Sequence, residues 1–234
     1  MSLLDIGCGP GTITVGLAQA VSPGQVIGVD RNPAVLTKAE AAIRETGASV
    51  GLLSADAMAL PFADDSFDAA FMHAVLQHLA DPEGAVREAV RVLRPGGVIG
   101  LRDADHDASV IFPDDPAIVQ SLHVMTTLRE LRGTSPRVGK QLRALLAAAG
   151  CEEVTGSAVA TCDATPERTA VAARDILSYW QSEAFVESVK DAGLATGQEV
   201  ASFVEAWEQW GNAPSAFWVR VWCEAVGRLP VRLN

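Results

Sequence analysis

The chain has no basic stripe and no long apolar run. Its 18 Lys and Arg are outnumbered by 29 Asp and Glu, a formal charge of −11, and the acidic excess is spread along its length. A surface of that sign repels phosphate backbones, so no nucleic acid is expected as a partner. No apolar stretch approaches the ~18–20 residues that a membrane span requires. The N-terminus also lacks the basic start and extended apolar run of a secretory signal. The four cysteines, Cys8, Cys151, Cys162 and Cys223, are far apart, with no Cys-x-x-Cys pair and no histidine at zinc spacing. These absences predict a reduced, cytoplasmic protein without a structural metal. Repeats and low-complexity tracts are lacking as well. What remains is the 49% hydrophobic, 20% charged composition of a folded globular protein, with 234 residues for one large domain or one domain with an insert.

Through residue 105, short apolar segments alternate with helical ones. Strands are expected at 2–6, 25–30, 49–56, 67–73 and 97–105, and helices at 12–21, 32–47 and 81–97. The second helix has full punctuation, with Asn32 to cap it, Pro33 at its first position and Gly47 to end it. The third repeats the cap-then-proline start at Asp81-Pro82 and is expected to stop at Pro95-Gly96-Gly97. Strands that alternate with helices pair in parallel, and near-continuous apolar strands are covered on both faces. The fold class is therefore α/β, a doubly wound, mostly parallel sheet. Ligands of such sheets lie outside the carboxyl ends of the strands, where this chain places Asp5, Asp30, Asp56, His73 and Asp103. After residue 105 helices are expected over 113–132 and 135–150, the latter opened by Ser135-Pro136 and closed by Gly150. A strand over 152–162 follows, then two amphipathic helical stretches at about 166–192 and 197–210. Thr196 and Glu199 form a capping box for the second, and the alternation over 216–228 predicts a final strand.

Three glycines at alternate positions, Gly7, Gly9 and Gly11, follow the first apolar run. Glycine in an element interior costs roughly 0.5–1 kcal/mol relative to alanine, so such a cluster marks a backbone that turns sharply or lies against a ligand. A dinucleotide fingerprint is one reading, but its third small position falls on Thr12, and Asp5 before the loop would repel a pyrophosphate. An acid there suits a ligand that carries an ammonium group.

"LLDIGCGPGT" resembles the first motif of class I S-adenosylmethionine-dependent methyltransferases. "VIGVDRNPAVL" is similar to the family's second motif, "LLSADAMALPFADDSFDAAFMHAVLQHL" to its third and fourth, and "VLRPGGVIGLRD" to the approach to strand five. "AFWVRVWCEAVGR" resembles its antiparallel last strand, which returns between strands five and six, and "HAVLQHLADPEGAVREAVRVLRPGG" looks most like the ubiquinone/menaquinone C-methyltransferase-like group. The resemblance implies a seven-stranded Rossmann-like sheet, with residues 1–162 and 213–234 as the cofactor-binding domain and a helical insert at 163–212 that shapes the acceptor pocket. It implies S-adenosyl-L-methionine as cofactor and a small hydrophobic or aromatic methyl acceptor, with a homodimer left open. Gly7, Gly9 and Gly11 would pass close to the methionine part and Asp5 would favour its ammonium. Asp30 would take the ribose hydroxyls, Arg31 would flank the adenine, and Asp56 and the Ala57 N–H would reach its edge. His73 would sit near the sulfonium. The helical residues that the family carries before strand one are absent. Either they belong upstream of residue 1, or the inserts at 106–134 and 166–212 do the covering.

Methyl transfer is an in-line displacement on an activated sulfonium, so alignment and water exclusion carry much of the catalysis. A general base is needed only where the acceptor must lose a proton. The candidates are His106, Asp103 and His73. His106 stands among Asp103, Asp105 and Asp107, which would raise its proton affinity, whereas His78 reads as a structural helix residue. Tyr179, Trp180, Trp207 and Trp210 in the insert are either core or an apolar acceptor wall. Two other classes compete with the enzyme: a protein of the same fold that binds S-adenosylmethionine or its product with little turnover, and an NAD-dependent oxidoreductase.

Overall fold

The structure is a computed structural model and describes residues 1–231, so the last residues of the expected cofactor domain, 232–234, lie outside the described residues. Its seven strands are β1 (Ser2–Ile6), β2 (Gln25–Asp30), β3 (Val50–Ser54), β4 (Phe67–His73), β5 (Leu93–Phe112), β6 (Glu152–Asp163) and β7 (Phe217–Arg228). They form one sheet in the order β3-β2-β1-β4-β5-β7-β6, parallel from β3 to β5, with β7 antiparallel between β5 and β6. This is the doubly wound, Rossmann-like methyltransferase fold that the sequence implies.

Five of the eight described α-helices begin where a short polar side chain satisfies a first-turn N–H group, an arrangement worth about 1 kcal/mol per cap. α1 (Thr12–Val21) starts directly after Gly11, which stands at φ 81. α2 (Pro33–Thr46) is capped by Asn32, whose Oδ1 accepts from the Ala34 N–H at 3.0 Å, and ends at left-handed Gly47. Asp81 caps α3 (Pro82–Arg91), Asp115 caps α4 (Pro116–Leu131), and a short α5 (Leu142–Ala148) follows. Thr165 caps α6 (Pro166–Trp180), α7 (Glu183–Asp191) follows Ser182, and Thr196 with Glu199 forms the expected capping box on α8 (Gly197–Asn212).

The chain divides into two compact units, one made of 1–104, 138–158 and 223–234, the other of 105–137 and 159–222. In the first, apolar strand residues such as Leu4, Ile6, Met72, Ile99 and Leu101 bury against Val86 and Ala89 of α3 and Leu142 and Leu146 of α5. Leu3, Val26 and Ala69 form a smaller group with Ala18 of α1. In the second, Trp180, Phe203, Trp207, Trp210 and Trp218 pack with Ile118, Val124 and Leu128 of α4. The helical insert expected at 163–212 lies within this second unit.

Four expectations are corrected in detail. The helix expected to stop at Pro95-Gly96-Gly97 ends at Arg91, and those three residues belong to β5. Between the pairs Phe67–Leu93 and Ala69–Val98, β5 uses more residues than β4, so the Pro-Gly-Gly bulges out of a strand that has already begun. β5 also runs beyond residue 105 to Phe112, which leaves Asp103 inside a strand rather than at its end. The helix expected over 135–150 is a 3₁₀ turn at Gly139–Gln141 followed by α5, because the Pro136 carbonyl accepts the His106 N–H (3.2 Å) instead of a helical partner. The stretch expected over 166–192 breaks at Gln181–Ser182 into α6 and α7.

Candidate cofactor site

A cleft of about 410 Å³ opens within the first unit at the carboxyl ends of β1, β2 and β4. Gly7 forms part of its floor. Val29, Asp30, Arg31, Asn32 and Val35 line one side, Ala55, Asp56 and Ala57 a second, and Ala74, Val75, His78 and Leu79 a third. Gly7, Gly9 and Gly11 all have positive φ. At Gly7 a Cβ would come within 2.3 Å of Val75 Cγ2, whereas at Gly9 it would meet nothing within 4 Å. Gly7 is therefore required by a close approach inside the protein, whereas Gly9 faces open space.

The loop's N–H groups discriminate between ligands. Gly7 and Cys8 both donate to the Val29 carbonyl (2.7 and 2.9 Å), Gly11 donates to the Cys8 carbonyl (3.1 Å), and Gly9 donates to Asp30 Oδ2 (3.1 Å). Pro10 has no N–H. A pyrophosphate-binding loop must turn such donors outward; these are engaged internally. Asp30 Oδ1 accepts the Asn32 N–H at 2.9 Å, so the carboxylate is fixed by two backbone donors while each oxygen keeps a second lone pair for a hydroxyl. Asp56 closes an Asx turn, accepting the Met58 N–H at 2.9 Å, and still lines the cleft beside Ala57. Arg31 is exposed at the rim.

Asp5 is 2% exposed and does not line the cleft; it accepts the Thr14 hydroxyl at 2.6 Å. Burial pushes its carboxyl up to about 6, the Thr14 hydrogen bond opposes that rise, and Asp30 adds to it. Burial together with Asp5 and Asp30 also pushes the Cys8 thiol up to about 12, so this cysteine is not a nucleophile at neutral pH.

Of the three candidate bases, Asp103 is buried behind the cleft, its oxygens occupied by four backbone N–H groups. His106 belongs to the second unit, and its Nε2 lies 2.9 Å from Arg129 Nη1. A guanidinium only donates, so Nε2 is the acceptor there and its lone pair is engaged. Asp107 pairs with Arg137 at 2.6 Å and Asp105 accepts the Asp107 N–H. His73 ends β4, opposite Arg102 of β5 in register. Burial and the Arg102 charge hold its imidazole below the usual histidine range, with Glu224 acting in the opposite sense. Among the described residues no group of three or more His, Cys, Asp or Glu could hold a metal ion, and no helix is long and apolar enough to cross a membrane.

Sequence reasoning missed the wall formed by Ala74, Val75, His78 and Leu79. His78 lies in a 3₁₀ turn at Leu76–His78 rather than in a packed helix. Nothing in "HAVLQHL" marks the left-handed Ala74 that starts it.

Residues 4–101 match the family model described as a methyltransferase domain. An uncharacterized methyltransferase of Schizosaccharomyces pombe is 34% identical over 225 residues, 89% of this chain and 77% of that protein. The demethylmenaquinone methyltransferase of Lactobacillus johnsonii is 36% identical over 111 residues, 46% of each chain. Among solved structures, a putative methyltransferase from Bacillus halodurans superposes with a TM-score of 0.64 at 21% identity, covering 98% of this chain and 93% of that one. The chain belongs to the class I S-adenosylmethionine-dependent methyltransferases, and S-adenosyl-L-methionine is its cofactor. The cleft fits that molecule: a fixed carboxylate at Asp30 stands ready for vicinal hydroxyls, and the N–H groups of Gly7, Cys8, Gly9 and Gly11 are engaged within the protein rather than turned toward a pyrophosphate.

Proposed function

We propose that the protein methylates a small hydrophobic or aromatic acceptor, with Gly7, Gly9, Asp30, Arg31, Asp56 and Ala57 holding the cofactor. The observation that carries the cofactor assignment is the glycine loop whose N–H groups are satisfied internally and whose open side is bordered by Asp30. When bound, S-adenosylmethionine supplies an activated methyl group and a neutral thioether leaving group. The residues of this chain supply position: Asp30 fixes the sugar edge, and the Ala55–Ala57 and Ala74–Leu79 walls limit water on either side. Alignment of this kind can contribute about 7–11 kcal/mol to a bimolecular transfer.

His73 is the candidate base. Burial and the Arg102 charge lower its proton affinity, which favours the neutral imidazole at pH 7, and it stands next to Ala74 of the cleft wall without lining the cleft itself. Asp103 is buried among the backbone N–H groups it accepts and does not line the cleft, and His106 belongs to the second unit with Nε2 facing Arg129. The hydrophobic acceptor is supported by the relative named for demethylmenaquinone; Trp180, Trp207 and Trp210 are core residues of the second unit, and of the four aromatics singled out in the insert Tyr179 alone is half-exposed. The acidic surface supports a cytoplasmic enzyme that works without nucleic acid.

Calorimetric titration of S-adenosylhomocysteine into the wild-type protein and Asp30→Ala tests the site. Expected is a dissociation constant on the order of micromolar, weakened about tenfold or more in the variant, with no heat from NADH. Equal binding of NADH, or an Asp30→Ala protein that binds as well as wild type, would overturn the assignment. Mass-spectrometric search for a product 14 Da heavier in a panel of quinols, phenols and amines then separates an enzyme from a binding protein (~14 Da being one methylene).

A further inference from the structure

One wall of the cleft is built on a turn that its own sequence does not stabilise. Ala74 stands at φ 57, a left-handed conformation that costs a residue with a Cβ about 1–2 kcal/mol. The 3₁₀ turn that follows at Leu76–His78 begins with N–H groups that have no partner within it. Two adjacent residues of β5 hold this turn. The Arg102 carbonyl accepts the Ala74 N–H at 2.9 Å. Asp103 Oδ2 accepts from Val75 (3.1 Å), Leu76 (2.8 Å) and Gln77 (3.4 Å), while its Oδ1 accepts from Ala104 (3.2 Å). The Asp103 side chain is 1% exposed and does not line the cleft. Val75, gripped in this way, lies against Gly7 so closely that a Cβ on Gly7 would be 2.3 Å from it.

We propose that Asp103 is a positioning residue for the cofactor: by gathering three consecutive N–H groups it holds the turn 74–79 against the glycine loop and sets cofactor affinity without touching the cofactor. The inference rests on the cleft being the S-adenosylmethionine site. A carboxylate suits the task because it only accepts, whereas an amide would turn a donor toward one of these N–H groups. Burial raises the Asp103 carboxyl to about 6, the four N–H bonds oppose that rise, and at pH 7.5 it is an acceptor. Without it, four backbone donors, two of them buried, lose their partner and the strained Ala74 relaxes, so only a fraction of molecules presents the competent wall. Apparent affinity falls by that fraction.

The test measures S-adenosylhomocysteine binding by calorimetry at pH 7.5, alongside melting temperature, for wild type, Asp103→Ala, Asp103→Ala with Ala74→Gly, and Asp68→Ala. Asp68 is the comparison because it also binds a backbone N–H, that of Ser2 at 2.7 Å, but at the opposite end of β4. Expected is an affinity loss of about tenfold or more in Asp103→Ala. Partial recovery should follow when glycine removes the left-handed cost at residue 74, and Asp68→Ala should lower the melting temperature with affinity unchanged. Should Asp103→Ala fail to fold, Asp103→Asn, which keeps one acceptor oxygen, is expected to lose about threefold. Wild-type affinity in the folded Asp103 variants, or no recovery in the double variant, overturns the proposal and leaves the cofactor site standing. If wild type itself binds no S-adenosylhomocysteine, the cleft assignment falls and the positioning role falls with it.

Discussion

In the first unit the cleft lining includes residues with little bulk, Gly7, Ala55, Ala57 and Ala74, beside Asp30 and Asp56, whose oxygens are fixed by backbone N–H groups. In the second unit Trp180, Phe203, Trp207, Trp210 and Trp218 meet ring to ring at centroid separations of 5.0–6.2 Å. The Trp207 indole N–H donates to Ser121 Oγ at 2.8 Å and that of Trp210 to the Phe112 carbonyl at 2.9 Å. One region keeps space open by leaving side chains out, and its precision lies in the backbone. The other fills space with the largest side chains available, and its stability lies in their packing. A substitution should therefore register in binding for the first region and in stability for the second.

The largest expected effect falls on the aromatic core. Trp207→Ala removes a fully buried ring and leaves the Ser121 hydroxyl without its donor, which should cost about 3–5 kcal/mol in urea unfolding. Affinity for S-adenosylhomocysteine should be unchanged where the variant is folded; a weakened affinity would show that the contrast between the units is wrong. Gly7→Ala inverts the experiment. Its Cβ would meet Val75 at 2.3 Å on a backbone with φ 73, so affinity should fall about 30–100-fold, equivalent to roughly 2–3 kcal/mol, and unchanged binding would mean that the turn 74–79 moves freely.

A smaller, pH-dependent effect sharpens the view of the first unit. Asp5 has a folded-state carboxyl raised to about 6, above its unfolded value near 4. The folded protein therefore retains a proton that the unfolded chain has released. Its stabilising contribution is fully present below about pH 4 and is lost as pH rises through 6. Asp5→Asn lacks that titration, so the stability of wild type relative to this variant should decline by about 1–3 kcal/mol between pH 4 and 7. A difference that stays constant over that range would place the Asp5 carboxyl in the ordinary range instead.

The elements most legible in the sequence are those whose signals are local. Asn32-Pro33 and Gly47 bracket α2, Thr196 and Glu199 open α8, and the apolar run 67–73 is β4 residue for residue. The expectations that failed in detail are those in which a distant partner outcompetes a local signal. Pro95-Gly96-Gly97 reads as a helix stop, yet Leu93 already pairs with Phe67 of β4. Ser135-Pro136 reads as a helix start, yet the Pro136 carbonyl is taken by His106.

The same division runs through the site. The sequence by itself determined the α/β order, the glycine loop behind β1 and the carboxylate of Asp30 at the end of β2, because each follows from the conformational range of one residue or the periodicity of a short segment. Only the tertiary structure decided that Asp5 turns to Thr14, that His106 faces Arg129, and that Asp103 grips the turn behind the cleft. The direction of a side chain at a strand end depends on which donors the neighbouring strands and turns leave unsatisfied, and a buried donor takes the nearest acceptor whatever its distance in sequence.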